Sequence, residues 1–136
     1  MRDLHNNVKV SRAISPVNET GTTALVSQII DTKDYDSLEF VIATGSLADA
    51  NATYTVLVED GDNASLTDNA AVVDAQLIGT EAGAAFQFDD DNEVRKIGYI
   101  GNKRYVRLTI TPVGNSGDSY ISAVAVQGHA HAAPVA

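Results

Sequence analysis

The stretch Val94-Arg95-Lys96-Ile97-Gly98-Tyr99-Ile100-Gly101-Asn102-Lys103-Arg104-Tyr105-Val106-Arg107-Leu108-Thr109-Ile110-Thr111-Pro112 decides the fold class. Val106, Leu108 and Ile110 alternate with Arg107, Thr109 and Thr111, the period-two pattern of a strand with one buried and one solvated face. Gly101 and Asn102 tolerate positive φ, so the spacing predicts a tight β-hairpin joining Val94–Ile100 to Lys103–Pro112. The stretch is also basic: of nine lysines and arginines in the chain it holds five, Arg95, Lys96, Lys103, Arg104 and Arg107. By contrast, Asp31 to Glu93 carries a series of carboxylates opposed only by Lys33. This predicts a molecule with two electrical faces, suited to docking on another protein in a preferred orientation, because complementary potentials set register.

Outward from that stretch, short runs recur with turn residues between them, as in a sandwich or barrel. Thr22–Ile30 reads as a strand. In Ser37–Thr44, Leu38, Phe40 and Ile42 share one face, with Glu39 and Val41 on the other; in Ala52–Glu59, Tyr54, Val56 and Val58 share one. Shorter strands are expected at Asp74–Ile78 and Ala84–Phe88. Tyr120–Gln127 is apolar on both faces, through Ile121, Ala123 and Ala125 against Val124 and Val126, and reads as a central or covered strand. The expected architecture is all-β: a single-domain antiparallel β-sandwich, jelly-roll-like, with an extended N-terminal arm at 1–20, the sandwich at 21–128 and a flexible tail at 129–136. The arm is inferred from Ser15-Pro16, which favours an extended path over a helix.

A chain of 136 residues supports one domain with its own core. Val, Ile, Thr, Ala and Gly dominate, Trp is absent and aromatics are few, so β-branched and small side chains build that core. The net charge of −9 argues against a general nucleic-acid binder, which needs excess cation to neutralise phosphates. Cysteine is absent, which removes disulfides, thiolate nucleophiles and Cys-ligated metals. Residues 1–7 lack the apolar run of a signal peptide and no stretch is long enough to cross a bilayer, so the expectation is a soluble polypeptide made in the cytoplasm. The sequons at Asn18, Asn51 and Asn63 are read as turn chemistry.

No catalytic residue, cofactor or metal site is assigned. His5, His129 and His131 fall outside the predicted strands; His129-Ala130-His131 has the spacing of a weak metal pair but reads as a solvated tail. Asp60, Asp62 and Asn63, and Asp89 to Asn92, have oxygen ligands of the calcium type without the EF-hand spacing, and read as turns with solvated carboxylates. The platforms for a sugar are Tyr35, Tyr54, Tyr99, Tyr105 and Tyr120, each of which also suits a core or rim position.

The opening Arg2-Asp3-Leu4-His5-Asn6-Asn7 with Ala13-Ile14-Ser15-Pro16, the strand Asp36-Ser37-Leu38-Glu39-Phe40-Val41-Ile42, the block Ala75-Gln76-Leu77-Ile78-Gly79-Thr80-Glu81 and the stretch Arg95 to Arg107 together resemble small structural proteins of tailed bacteriophages and prophages. The likeness spans nearly the whole chain and is similar to capsid decoration, or cement, proteins. It implies a non-enzymatic virion subunit on the capsid exterior that binds the major capsid protein, stabilises the head and self-associates, a trimer being preferred, without contacting membrane or nucleic acid. Docking contacts are then expected from the arm (Leu4, Asn6, Val8, Val10, Ile14, Pro16) and from Arg95, Lys96, Lys103, Arg104 and Arg107. The alternatives are a carbohydrate-binding or adhesin-type module on the virion and a low-copy neck or tail component.

Overall fold

The computed structural model describes residues 2–135. In chain order the strands are β1 (Lys9–Asn18), β2 (Leu25–Val26), β3 (Ile30–Asp31), β4 (Tyr35–Leu47), β5 (Thr53–Gly61), β6 (Ala70–Ala71), β7 (Leu77–Ile78), β8 (Phe86–Gln87), β9 (Val94–Tyr99), β10 (Tyr105–Val113) and β11 (Ser119–Ala130), with a 3-10 turn at Asp74–Gln76, where the sequence reading expected the start of a strand, and one turn of α-helix, α1 (Glu81–Ala84). They form two antiparallel sheets packed face to face. Sheet I runs β1-β11-β4-β9-β7; sheet II runs β2-β10-β5-β6, with β3 also on β10 and β8 on β5. The expected all-β sandwich is present.

The alternation places the side chains. Leu38, Phe40 and Ile42 of β4, Ile97 and Tyr99 of β9, and Ile121, Ala123 and Ala125 of β11 point from sheet I onto Tyr54, Val56 and Val58 of β5 and Val106, Leu108 and Ile110 of β10, and all are buried. Each large aliphatic side chain so buried contributes about 1.5–3 kcal/mol. Tyr54 stacks on Phe86 at 4.7 Å between ring centroids, closing one end of the core. The short pieces depart from the sequence reading. Thr22–Ile30 is two two-residue strands, because Ser27 between them pairs through both its backbone and its hydroxyl with Leu108. Ala84–Phe88 is a helical end followed by β8, the helix being capped by the Thr80 hydroxyl.

The basic stretch is not a hairpin. β9 pairs with β4 and β7 in sheet I, whereas β10 pairs with β5, β2 and β3 in sheet II, so residues 100–104 arch from one sheet to the other. Gly101 and Asn102 both keep negative φ, and the left-handed region is taken instead by residues such as Asp34, Asn92, Gly79 and Gly114. What Gly101 supplies is space: a Cβ there would lie 2.5 Å from Tyr99 Cζ. The Tyr99 hydroxyl, held in that corner, donates to Asp60 Oδ2 of β5 at 2.7 Å and accepts from the Lys103 amide at 3.0 Å, tying the arch across the sandwich.

The N-terminal segment is not a separate arm either. β1 pairs along β11 from Lys9↔Gln127 to Asn18↔Tyr120 as an edge strand, with Ala13 and Ile14 in the core. Pro16 is accommodated because the register shifts between Ile14 and Val17, at the sheet edge where a missing donor is tolerated. The tail is likewise tied down: β11 continues to Ala130, the His131 amide donates to Asp34 O at 2.9 Å, and the Val135 amide donates to Asn6 O at 2.8 Å.

Candidate functional site

Of the five cations of the basic stretch, Arg95 and Lys96 lie on sheet I, Arg107 on sheet II and Lys103 and Arg104 in the arch between them, and four are neutralised within the chain. Arg95 contacts Asp90 at 3.0 Å and Glu93 at 2.5 Å; Lys103 contacts Asp62 at 2.7 Å; Arg107 contacts Glu59 at 3.1 Å. Arg104 grips Asp31 through Nε and an Nη at 2.8 and 2.9 Å. Those bonds raise the Arg104, Lys103 and Arg95 values, while the Arg104 guanidinium holds the Asp31 carboxyl below its ordinary range. Of these five only Lys96 makes no ion pair among the described residues, so charge is interleaved rather than divided into two faces. The former arm residues scatter as well. Leu4 is exposed, Asn6 closes a turn on the Asp3 carboxylate, Val8 and Val10 lie towards the outside of sheet I, Pro16 is exposed, and Ile14 is core.

The outward surfaces of the two sheets differ in make-up. Strand pairing places Thr53 opposite Val113, Thr55 opposite Thr111, Leu57 opposite Thr109 and Glu59 opposite Arg107 on the outside of sheet II, with Val26 beside Thr109, a mixed face rich in threonine on which Val26 and Val113 are exposed. On the outside of sheet I, Val10 stands opposite Val126, Arg12 opposite Val124, Val124 opposite Val41, and Ala43 opposite Val94, with Ile78 beside Gly98 at the far edge. Val10 is 61% exposed, Val94 62%, Ile78 59% and Tyr120 47%, so exposed aliphatic side chains recur across the five strands, with Arg12, Glu39 and Lys96 set among them. The sequence signal for this face was Tyr120–Gln127, apolar on both faces: the strand is central, between β1 and β4, but Val124 remains 37% exposed.

Two grooves flank these side chains. One, of about 430 Å³, lies beside Tyr120 between Pro16, Val17 and Gly45. The other, of about 410 Å³, is bounded by Val8, Ile78, Ile100, Val126, Gly128 and Glu39. Glu39 is the acidic group in it. Burial pushes its carboxyl above the usual range, with only a partial offset from the charge of Lys96. The carboxylate lies flat against the sheet because Gly98 leaves room: a Cβ there would meet Glu39 Oε2 at 2.5 Å and Ile78 Cβ at 3.2 Å.

The remaining candidates have structural partners. Tyr54 bonds Ser119 and Tyr99 bonds Asp60, both deep in the core; Lys9 sits over the Tyr35 ring and Arg104 over Tyr105, leaving Tyr120 as the exposed tyrosine. The Asp68 carboxylate accepts the Asp62 and Asn63 amides, Asp90 accepts the Gln87 amide and Asp91 the Leu47 amide, so these loops use their carboxylates as turn braces. His129 has φ of 51°, which breaks the strand alternation with His131; its Nδ1 bonds Ser37 while His131 bonds Asp36. No helix among the described residues is long and apolar enough to cross a membrane.

No family model matches the sequence, and no curated protein matches it. Solved structures of similar shape do exist. The PBSX exported protein XepA superposes with a TM-score of 0.58 at 12% identity, over 94% of this chain and 39% of that one. The VP2 subviral particle of infectious bursal disease virus gives 0.55 at 12% identity, over 93% of this chain and 33% of that one. The CBM22-1 xylan-binding domain of Paenibacillus barcinonensis Xyn10C gives 0.50 at 16% identity, over 92% of this chain and 83% of that one. This chain therefore spans about two fifths of XepA and one third of VP2. What it shares with the three is the β-sandwich fold, one found in a phage-derived exported protein, a viral capsid protein and a carbohydrate-binding module.

Proposed function

We propose that this protein is a structural subunit of a tailed-phage virion, a decoration protein that lies on the outer surface of the major capsid lattice and stabilises the head. The observation that carries the reading is the difference in make-up of the two outer surfaces: on sheet I, Val10, Val41, Val94, Val124 and Val126 outnumber the charged Arg12, Glu39 and Lys96, whereas on sheet II Val26, Leu57 and Val113 stand among Thr53, Thr55, Thr109, Thr111 and the Glu59–Arg107 pair. A protein whose two faces differ in this way has a side suited to docking and a side suited to solvent, which is what attachment to a lattice requires. The sequence resemblance to phage structural proteins supports the same reading, and the fold is compatible with it. Docking through sheet I replaces the basic stretch as the contact surface, since its cations are mostly satisfied internally. Self-association as a trimer remains part of the proposal.

Quantitative mass spectrometry of purified particles tests it. A copy number near that of the major capsid protein is expected, together with loss of the protein from particles carrying Val124→Glu, a substitution on the exposed face. A few copies per particle would move the protein to the neck or tail, and unchanged incorporation of the variant would overturn sheet I as the docking side. A carbohydrate-binding reading is favoured by one observation, exposed Tyr120 over a groove on that same face. Glycan binding by the isolated protein, abolished in Tyr120→Ala, would put that reading first.

A further inference from the structure

The groove around Glu39 joins two properties that oppose one another in a free protein. Val8, Ile78, Ile100 and Val126 make its aliphatic walls, Asn7, Ser37 and His129 its polar rim with the His129 ring bonded to Ser37, and Gly128 opens one side, since a Cβ there would touch nothing within 4 Å. Yet a carboxylate lies on its floor, held against the backbone of Gly98 beside the Ile78 side chain. Burial disfavours its charge, and Lys96, on the neighbouring strand, acts on it through charge alone and forms no ion pair with it. A carboxylate at such a place is stabilised by a cation arriving with its own apolar stem, which covers the aliphatic walls while its head meets the charge.

We infer that this groove is a receptor for one basic side chain, lysine or arginine, presented by a polypeptide that docks on sheet I. The cavity has room for the four-carbon or guanidinium-tipped stem, and charge complementarity sets what sits at its floor. The inference goes beyond the capsid reading, because it specifies the chemistry of the contact on any protein partner and is tested on the isolated chain.

The test is an NMR titration of the whole protein with the peptide Ac-Ala-Ala-Lys-Ala-Ala-NH2, with its norleucine counterpart and with spermidine. Saturable shifts centred on the amides of Gly98, Ile100 and Gly128 are expected with the lysine peptide. Glu39→Gln should weaken that binding by about tenfold or more, the scale of a lost charge-assisted hydrogen bond. Gly128→Val, at a position with open space for the new side chain, should fill the groove and abolish it while leaving the remaining spectrum in place. Equal binding by the norleucine peptide, binding unaffected by Glu39→Gln, or silence with the lysine peptide would each overturn the inference. Binding of spermidine without the peptide would overturn it in favour of a free polyamine. Because no particle enters the experiment, failure here leaves the decoration reading standing, and failure of that reading leaves this result intact.

Discussion

Tyr99 and Glu39, on neighbouring strands, face opposite sides of sheet I and show opposite uses of a polar atom. The Tyr99 hydroxyl is satisfied: it bonds buried Asp60 and the Lys103 amide, and burial together with the Asp60 bond pushes its ionisation upward. Tyr99→Phe is expected to destabilise the protein by about 2 kcal/mol in urea denaturation, because Asp60 is left buried without its donor. Glu39 is the reverse case. Its folded value lies above the ordinary 4.5, so the folded state holds the proton more tightly than the unfolded chain. Stability attributable to this group is then complete below 4.5 and is lost as pH rises through the folded value. Glu39→Gln should therefore raise the melting temperature at neutral pH, with the gain vanishing as pH falls below 4.5. A gain that persists in acid would show that the charge is not its source.

At the scale of elements, β1 illustrates how a segment with few strand signals becomes part of a sheet. It carries Pro16 and mixed polarity, but β11 offers it an open edge and Ala13 and Ile14 close the core beneath. Deleting residues 2–18 would turn β11 from an inner strand into an exposed edge and uncover the core beside Ile121 and Ala123. The expected outcome is loss of a cooperative urea transition and aggregation, rather than a folded domain lacking an arm. Gel filtration together with the denaturation curve reads the difference. The arch between β9 and β10 belongs to the same scale: its geometry rests on Gly101 giving way to the Tyr99 ring, a close approach, not on a reversed φ.

For the whole molecule, the net charge of −9 is held by local bracing rather than by segregation. Asp49 is held below its ordinary value by the Asn51 and Ser116 amides, Asp68 by the Asp62 and Asn63 amides, and Asp31 by Arg104. Groups with depressed values contribute stability that is present above 3.8 and is lost as pH falls through their folded values, so acid unfolding should begin below 3.8 and shift in Asp68→Asn. His131 has the opposite sign. Asp36 raises it from 6.5, so its contribution is full below 6.5 and is lost as pH rises through the folded value. His131→Ala should therefore lower the melting temperature more at about pH 6 than at about pH 8, by thermal unfolding at the two conditions.

The alternation of Leu38, Phe40 and Ile42, of Tyr54, Val56 and Val58, and of Val106, Leu108 and Ile110 was enough to state a sandwich and to name which side of each strand is core. It follows from a two-residue period that belongs to the strand alone. The doubly apolar Tyr120–Gln127 likewise announced a central strand, and its second apolar set, Val124 and Val126, lies on the outer side of sheet I. Which strand neighbours which was decided only in three dimensions. Backbone hydrogen bonds look the same for every residue type, so the alternation in Val94–Pro112 suits a hairpin within one sheet and an arch between two equally well. The choice was made by Tyr99 reaching Asp60 and by β4 and β5 taking the two strands into opposite sheets. The groove at Glu39 was hidden for the same reason: Val8, Ile78, Gly98 and Gly128 are far apart along the chain, and only the pairing of β1, β11, β4, β9 and β7 sets them round one carboxylate.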